Sequence, residues 1–152
     1  MTEEHLQSLS TAEQNTLRVL LGLMIPASTE YGVPAADDPG IFADIVASMG
    51  RDGAVVRALM RDLDARSCGT FTELDPAARQ DVAAKFLASG DPSLGALSRV
   101  VLQCYYRDAR VMNSLGMEAR PPFPKGFAVE QGDWTLLEPV RRRPKVYRDA
   151  PK

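Results

Sequence analysis

The stretch STAEQNTLRVLLGLMIP, residues 10–26, decides the fold class. Ser10 with Glu13, or Thr11 with Gln14, makes a capping box, the reciprocal pairing that opens a helix. Leu17, Leu20, Leu21 and Met24 then recur at the i, i+3, i+4, i+7 spacing of a single helical face. Val19, Leu23 and Ile25 fill much of the other side, so this helix is expected to be central and buried. Pro26 ends it, because the residue before a proline avoids the helical region.

The same punctuation recurs downstream. Asp38-Pro39, Asp75-Pro76 and Asp91-Pro92 each precede an apolar pattern of helical period. Asp accepts from the free N–H groups of a helix start, and Pro at the first position has no N–H to leave unpaired. The spacing predicts helices over 39–49 (closed by Gly50), 53–66, 76–88 (stopped by Gly90) and 92–106. A short sixth, 109–115, is capped by Asp108 and ended by Gly116. In the third, Val56, Leu59, Met60 and Leu63 face inward, with Arg57, Arg61, Asp62 and Asp64 toward water. The fourth buries Val82, Ala83, Phe86 and Leu87; the fifth buries Leu94, Leu97, Val101 and Cys104. No period-two pattern competes. The fold class is all-α: an irregular bundle of about five to six helices over 1–116.

Residues 117–152 are unlike the rest. They hold 6 of the 11 prolines and 8 basic against 5 acidic residues, a net of +3 in a chain of net −2. The bundle segment is therefore acidic, at −5. Helix is not expected here; an extended, proline-rich C-terminal strap is. Extended at about 3.1 Å per residue, it would span roughly 110 Å, against a radius of gyration of ~15 Å for a globule of this length. Phe123, Phe127, Trp134, Leu136, Leu137, Val140, Val146 and Tyr147 are more apolar bulk than a solvated tail needs.

With 152 residues, 45% apolar and 25% charged, the chain reads as one ordinary soluble domain. Its longest strongly apolar stretch, seven residues from Val19 to Ile25, falls far short of the about 20 a membrane span needs. The start Met1-Thr2-Glu3-Glu4 carries neither a cationic region nor a twin arginine, so no export signal is expected. One histidine and two cysteines leave little for zinc or for a nucleophile–histidine device. No phosphate-loop or dinucleotide pattern occurs. No catalytic, metal-binding or cofactor-binding residues are assigned to this chain.

Each singled-out residue has two readings. His5 is a terminal residue rather than a ligand. Cys68 and Cys104 are two separate thiols, or else a disulfide if the compartment is oxidising. Asp62 and Asp64 point in different directions and read as a solvated charged face. Of Tyr105 and Tyr106, one packs into the core and the other is left for a contact; stacking on a flavin or base is the alternative. Arg141-Arg142-Arg143 suits salt bridges better than phosphates, given the acidic bundle. Pro121-Pro122-Phe123-Pro124 is either a recognition segment for an aromatic groove or a rigid strap.

Several of these phrases together resemble the gluconate 2-dehydrogenase subunit 3 family. Leu20-Leu21-Gly22-Leu23-Met24-Ile25-Pro26 is similar to its opening phrase. Tyr31-Gly32-Val33-Pro34 and Ile41-Phe42-Ala43-Asp44-Ile45 stand where that family has its loop and short helix. Tyr105-Tyr106-Arg107-Asp108, Leu115-Gly116 and Pro121-Pro122-Phe123-Pro124-Lys125-Gly126 are similar to its ending. The resemblance implies a small non-catalytic subunit that binds a large flavin-dependent dehydrogenase of the glucose–methanol–choline type and serves its maturation, stability or export. The FAD and the catalytic histidine then belong to the large subunit. Members commonly begin with a twin-arginine signal, which this chain lacks. It is expected in the cytoplasm on its own account, or in the periplasm if carried by a partner's signal.

The expectation is an interaction protein in a heteromeric complex, with Tyr106, Pro121, Pro122, Phe123, Pro124, Phe127 and Trp134 as its partner-binding residues. No nucleic acid is expected as partner. A helical regulatory or nucleic-acid-binding module, and a small enzyme using tyrosine or carboxylate chemistry, are the alternatives.

Overall fold

Ser10 opens α1 (Thr11–Met24) with the expected capping box. Its hydroxyl accepts from the Glu13 N–H at 3.2 Å, and its own N–H donates to Glu13 Oε2 at 2.8 Å. The computed structural model describes residues 9–67, 69–121, 123–146 and 148. Six further α-helices follow among them: α2 (Pro39–Ser48), α3 (Gly53–Arg66), α4 (Pro76–Leu87), α5 (Leu94–Tyr105), α6 (Ala109–Ser114) and α7 (Glu138–Arg141). Short 3₁₀ turns span Gly50–Asp52, Phe71–Glu73 and Trp134–Leu137. The described residues form no strand, and the all-α class holds. None of their helices is long and apolar enough to cross a membrane.

The Asp-Pro starts work as local chemistry requires. Asp38 accepts from Gly40 N–H, and Asp75 from Ala77 and Ala78 N–H. At Asp91-Pro92 the helix begins later, at Leu94, because Asp91 caps a turn instead, accepting from Ser93 N–H at 2.8 Å. Helix α6 ends on Gly116 at φ 73°, with Met117 N–H bonded to Met112 C=O and Gly116 N–H to Asn113 C=O. That is the Schellman arrangement, which needs a left-handed residue at this point.

The core is one cluster built from α1 to α6. Helix α3 packs against α1, α4 and α5, and α2 packs on α5. The buried residues of α3 are Val56, Leu59, Met60 and Leu63. In α1, by contrast, burial is one-sided: Leu17, Leu20 and Leu21 are buried, but Leu23 is 38% exposed. Part of the α1 buried face is polar, formed by Glu13 and Thr16, and α3 supplies the groups that meet them.

Those groups correct the reading of α3's outer side as simply solvated. Arg57 and Arg61 reach Glu13 at 3.5 and 3.1 Å. Asp64 accepts from Thr16 Oγ1 at 3.3 Å and from the Phe71 N–H at 3.0 Å, tying α1, α3 and the following turn together. Asp62 stays on the surface, paired with Arg66 four residues on.

The chain divides into two compact units between Arg120 and Pro121. In the second unit the extended course expected across 117–152 is interrupted by the helical turns of Trp134–Leu137 and Glu138–Arg141. Local capping explains the difference. Asp133 accepts from Thr135 N–H at 2.9 Å, and Pro139 lies in the first turn, where its missing N–H costs nothing.

Burial pushes the Glu13 carboxyl up, but the Ser10 hydrogen bonds and Arg61 outweigh it and hold it below its ordinary value. A depressed carboxyl stabilises the fold above its unfolded pKa, and that contribution fades as pH falls through the folded value. Glu13→Gln keeps a capping-box residue and removes the charge. It should cost about 1.5–3 kcal/mol at neutral pH, the range for hydrogen bonds to charged groups. The cost should shrink in acid, as checked by thermal melts at neutral pH and below pH ~3.

Candidate partner-binding surface

The two tyrosines at the end of α5 take opposite roles. Tyr105 is only 4% exposed and its hydroxyl donates to the Pro34 carbonyl at 3.0 Å. Burial pushes its phenol up, with Tyr106 and Asp108 adding to the shift. Tyr106 is 54% exposed and meets the Tyr105 ring edge-on, with centroids 5.5 Å apart. Leu102, one turn earlier on α5, is exposed as well.

The backbone carrying Tyr106 is held by ion pairs on its C-terminal side. Arg107 binds both carboxylate oxygens of Asp44, with Nε to Oδ2 at 2.6 Å, and also reaches Ser48 Oγ at 2.6 Å. Arg110 bridges Asp38, at 3.0 and 2.8 Å, and Asp108. Asp108 in turn caps α6 through the Arg110 N–H. These contacts fasten the α5–α6 junction to α2. The Arg110 hydrogen bond holds the Asp38 carboxyl down at about 2, against some desolvation, and Arg110 likewise holds Asp108 below its ordinary value.

The loop between α1 and α2 is fixed in the same region. Ser28 and Val33 exchange two backbone hydrogen bonds at 3.0 Å across a turn in which Gly32 has φ 63°. The Ala36 N–H returns to the Ile25 carbonyl at 2.9 Å. Gly22 on α1 leaves room for the Asp37 carboxylate, which would have to shift for a Cβ that would stand 2.9 Å from it. Arg18, one turn earlier, lies over the Phe42 ring at 4.2 Å.

Cys104 lies beneath this junction as a buried free thiol, pushed up by burial. A buried thiol raised in this way is a poor nucleophile at neutral pH. His5 and Cys68 lie outside the described residues. Among the described residues no three His, Cys, Asp or Glu side chains are grouped to hold a metal.

The second unit carries the remaining named residues. Pro121, Phe123, Pro124, Phe127 and Trp134 are exposed, and Pro122 lies outside the described residues. No large apolar side chain described in this unit is buried. A feature missed by sequence reading is a shallow groove of about 420 Å³ along α3, floored by Ala54, Val55, Ala58 and Leu59. Asp62, Asp91 and Ser93 edge it. It joins α3 to the turn before α5, and local periodicity holds no signal for such a junction.

No family model matches the chain, and no match was found among the curated proteins or the solved structures.

The two tyrosines should separate cleanly in stability measurements. Tyr105→Phe loses the bond to Pro34 and should cost about 1 kcal/mol, whereas Tyr106→Ala should stay within about 0.5 kcal/mol of the parent. Asp38→Asn keeps a capping residue while removing the charge that Arg110 binds. The Asp38 contribution is present above its ordinary 3.8 and lost as pH falls toward about 2. The Asn variant should therefore show a flatter loss of melting temperature across that window than the parent.

Proposed function

We propose that this chain is a small, non-catalytic subunit that binds and stabilises a flavin-dependent oxidoreductase acting on alcohol or sugar hydroxyls. The observation that carries the reading is the placement of its large apolar side chains. The second unit exposes Phe123, Phe127, Trp134, Leu136, Leu137 and Val140, and Tyr106 stands exposed on the first unit at the ion-paired end of α5. Aromatic side chains of this kind dominate the energetics of interfaces. The resemblance of the opening helix, the Tyr105-Tyr106-Arg107-Asp108 phrase and the Pro121-Pro122-Phe123-Pro124 run to the gluconate 2-dehydrogenase subunit 3 family supports the choice of partner.

The mechanism is physical. Surface buried against the large subunit favours that subunit's folded, FAD-loaded state by linkage, contributing about 2.7 kcal/mol at a hundredfold excess over Kd. Permanent complexes often bury more than about 2,000 Å², and an apolar C-terminal segment adds area at small cost in chain length. The flavin, the substrate and the hydride chemistry belong to the partner, and the compartment is the partner's.

Co-expression tests this directly. This chain, tagged, is produced with a large glucose–methanol–choline type flavoprotein from the same organism, and the visible spectrum of the purified material is recorded. The expected product is a yellow complex with flavin near-stoichiometric to the large chain, and omission of the small chain should lower flavin content or soluble yield. Phe123→Ala with Trp134→Ala should weaken the complex at least tenfold. A colourless tagged protein emerging alone would overturn the reading.

A further inference from the structure

We propose that residues 133–141 form a preformed recognition helix that seats in an apolar groove edged by carboxylates on the large flavoprotein subunit. This inference rests on the accessory-subunit reading above and names the part of the chain that makes the anchor contact.

The turn is organised from within. Asp133 Oδ1 accepts from both the N–H and the hydroxyl of Thr135, at 2.9 and 2.6 Å. The 3₁₀ turn Trp134–Leu137 runs directly into Glu138–Arg141, whose far end closes with Arg142 N–H on the Glu138 carbonyl at 3.1 Å. Trp134 and Leu137 stand above one another in the 3₁₀ turn, and Val140, three residues on in the α-helical turn, is a same-face neighbour of Leu137. They form one apolar ridge, flanked by Leu136, and all four are exposed. None of the large apolar residues described in this unit is buried, so the ridge serves no core of its own unit.

Charge names the complement. Arg141, Arg142 and Arg143 follow the ridge immediately, and Lys145 comes soon after, in a segment of net charge +3. Glu138 partly offsets the first two, at 3.3 and 4.0 Å. An apolar ridge leading into a basic run fits an apolar groove whose edge carries carboxylates, the helix-in-groove mode of recognition. The ridge then supplies most of the affinity, and the basic run supplies orientation and association rate.

Trp134 is the single tryptophan of the chain, which makes the test selective. The full chain is produced with 5-fluorotryptophan, and its one fluorine resonance is followed as the unlabelled large flavoprotein is added. The expected result is a shifted, broadened resonance, with Leu137→Asp and Val140→Asp each weakening the complex at least tenfold. Val146→Asp, outside the ridge, should bind as the parent does. Reversing Arg141, Arg142 and Arg143 to Glu should slow association and remove much of its salt dependence. Because these positions are exposed, unchanged circular dichroism melts exclude misfolding as the cause. If the complex forms with the resonance unmoved, or if the two Asp variants bind normally, the inference is overturned and the accessory-subunit reading stands. If no complex forms, that reading falls and the inference with it. A resonance that moves with concentration in the absence of the flavoprotein would assign the ridge to a second copy and overturn the proposal.

Discussion

The Glu13 carboxylate, nearly buried between two helices, is the constraint from which the bundle's register follows. One oxygen closes the first turn of α1 by accepting the Ser10 N–H, and the carboxylate also binds Arg57 and Arg61 of α3. Apolar burial is non-directional and would tolerate α1 sliding along α3. A carboxylate with fixed partners on both helices does not, because a slip would leave it buried and unpaired. Asp64 repeats the device from the opposite helix, joining Thr16 of α1 and the Phe71 backbone. With α1 and α3 fixed, α4 and α5 pack on α3, and α2 packs on α5.

The parts legible in the sequence are those whose cause is local. The Ser10/Glu13 box, Asp38 and Asp75 before prolines, and the α3 stripe from Val56 to Leu63 depend on neighbours within a turn or two. The parts that were not legible depend on partners far along the chain. Arg107 finds Asp44 and Arg110 finds Asp38 across more than sixty residues, and no periodicity announces such pairs. The same holds for Asp64, whose solvated appearance on a helical wheel is undone by Thr16 arriving from α1. The turn at Trp134 was hidden for a different reason. Proline count argued for extended chain, while a single capping aspartate and a proline in a first turn argue for helix. Composition averages over a segment, whereas capping acts at one residue. The proposed contact residues were picked out only by type, as large aromatics and prolines near or beyond the end of the bundle.

The titratable groups near the α5–α6 junction are occupied in holding the fold. Tyr105 donates to Pro34, Asp38 and Asp108 share Arg110, Asp44 holds Arg107, and the Cys104 thiol is buried. What this region presents outward is Tyr106, on a backbone fastened to α2 through its neighbours. An aromatic side chain has only two torsions to freeze. One carried on a fixed helix end loses little further freedom when it is covered, which is the condition under which contact area converts most fully into affinity.

The second unit meets the same requirement by another route. None of the large apolar side chains described in it is buried. A segment of that kind ordinarily loses much of its binding energy to ordering on contact. Here Asp133, Pro139 and the Glu138–Arg141 pair support the helical turn that carries Trp134 by local bonds. Such bonds are individually weak, yet each removes conformations that binding would otherwise have to remove. On the proposed accessory-subunit reading, local capping in a unit whose described residues bury no large apolar side chain would pre-organise it for the partner's surface. On that reading, the charge pattern, apolar first and basic after, would set the chemistry that surface must offer.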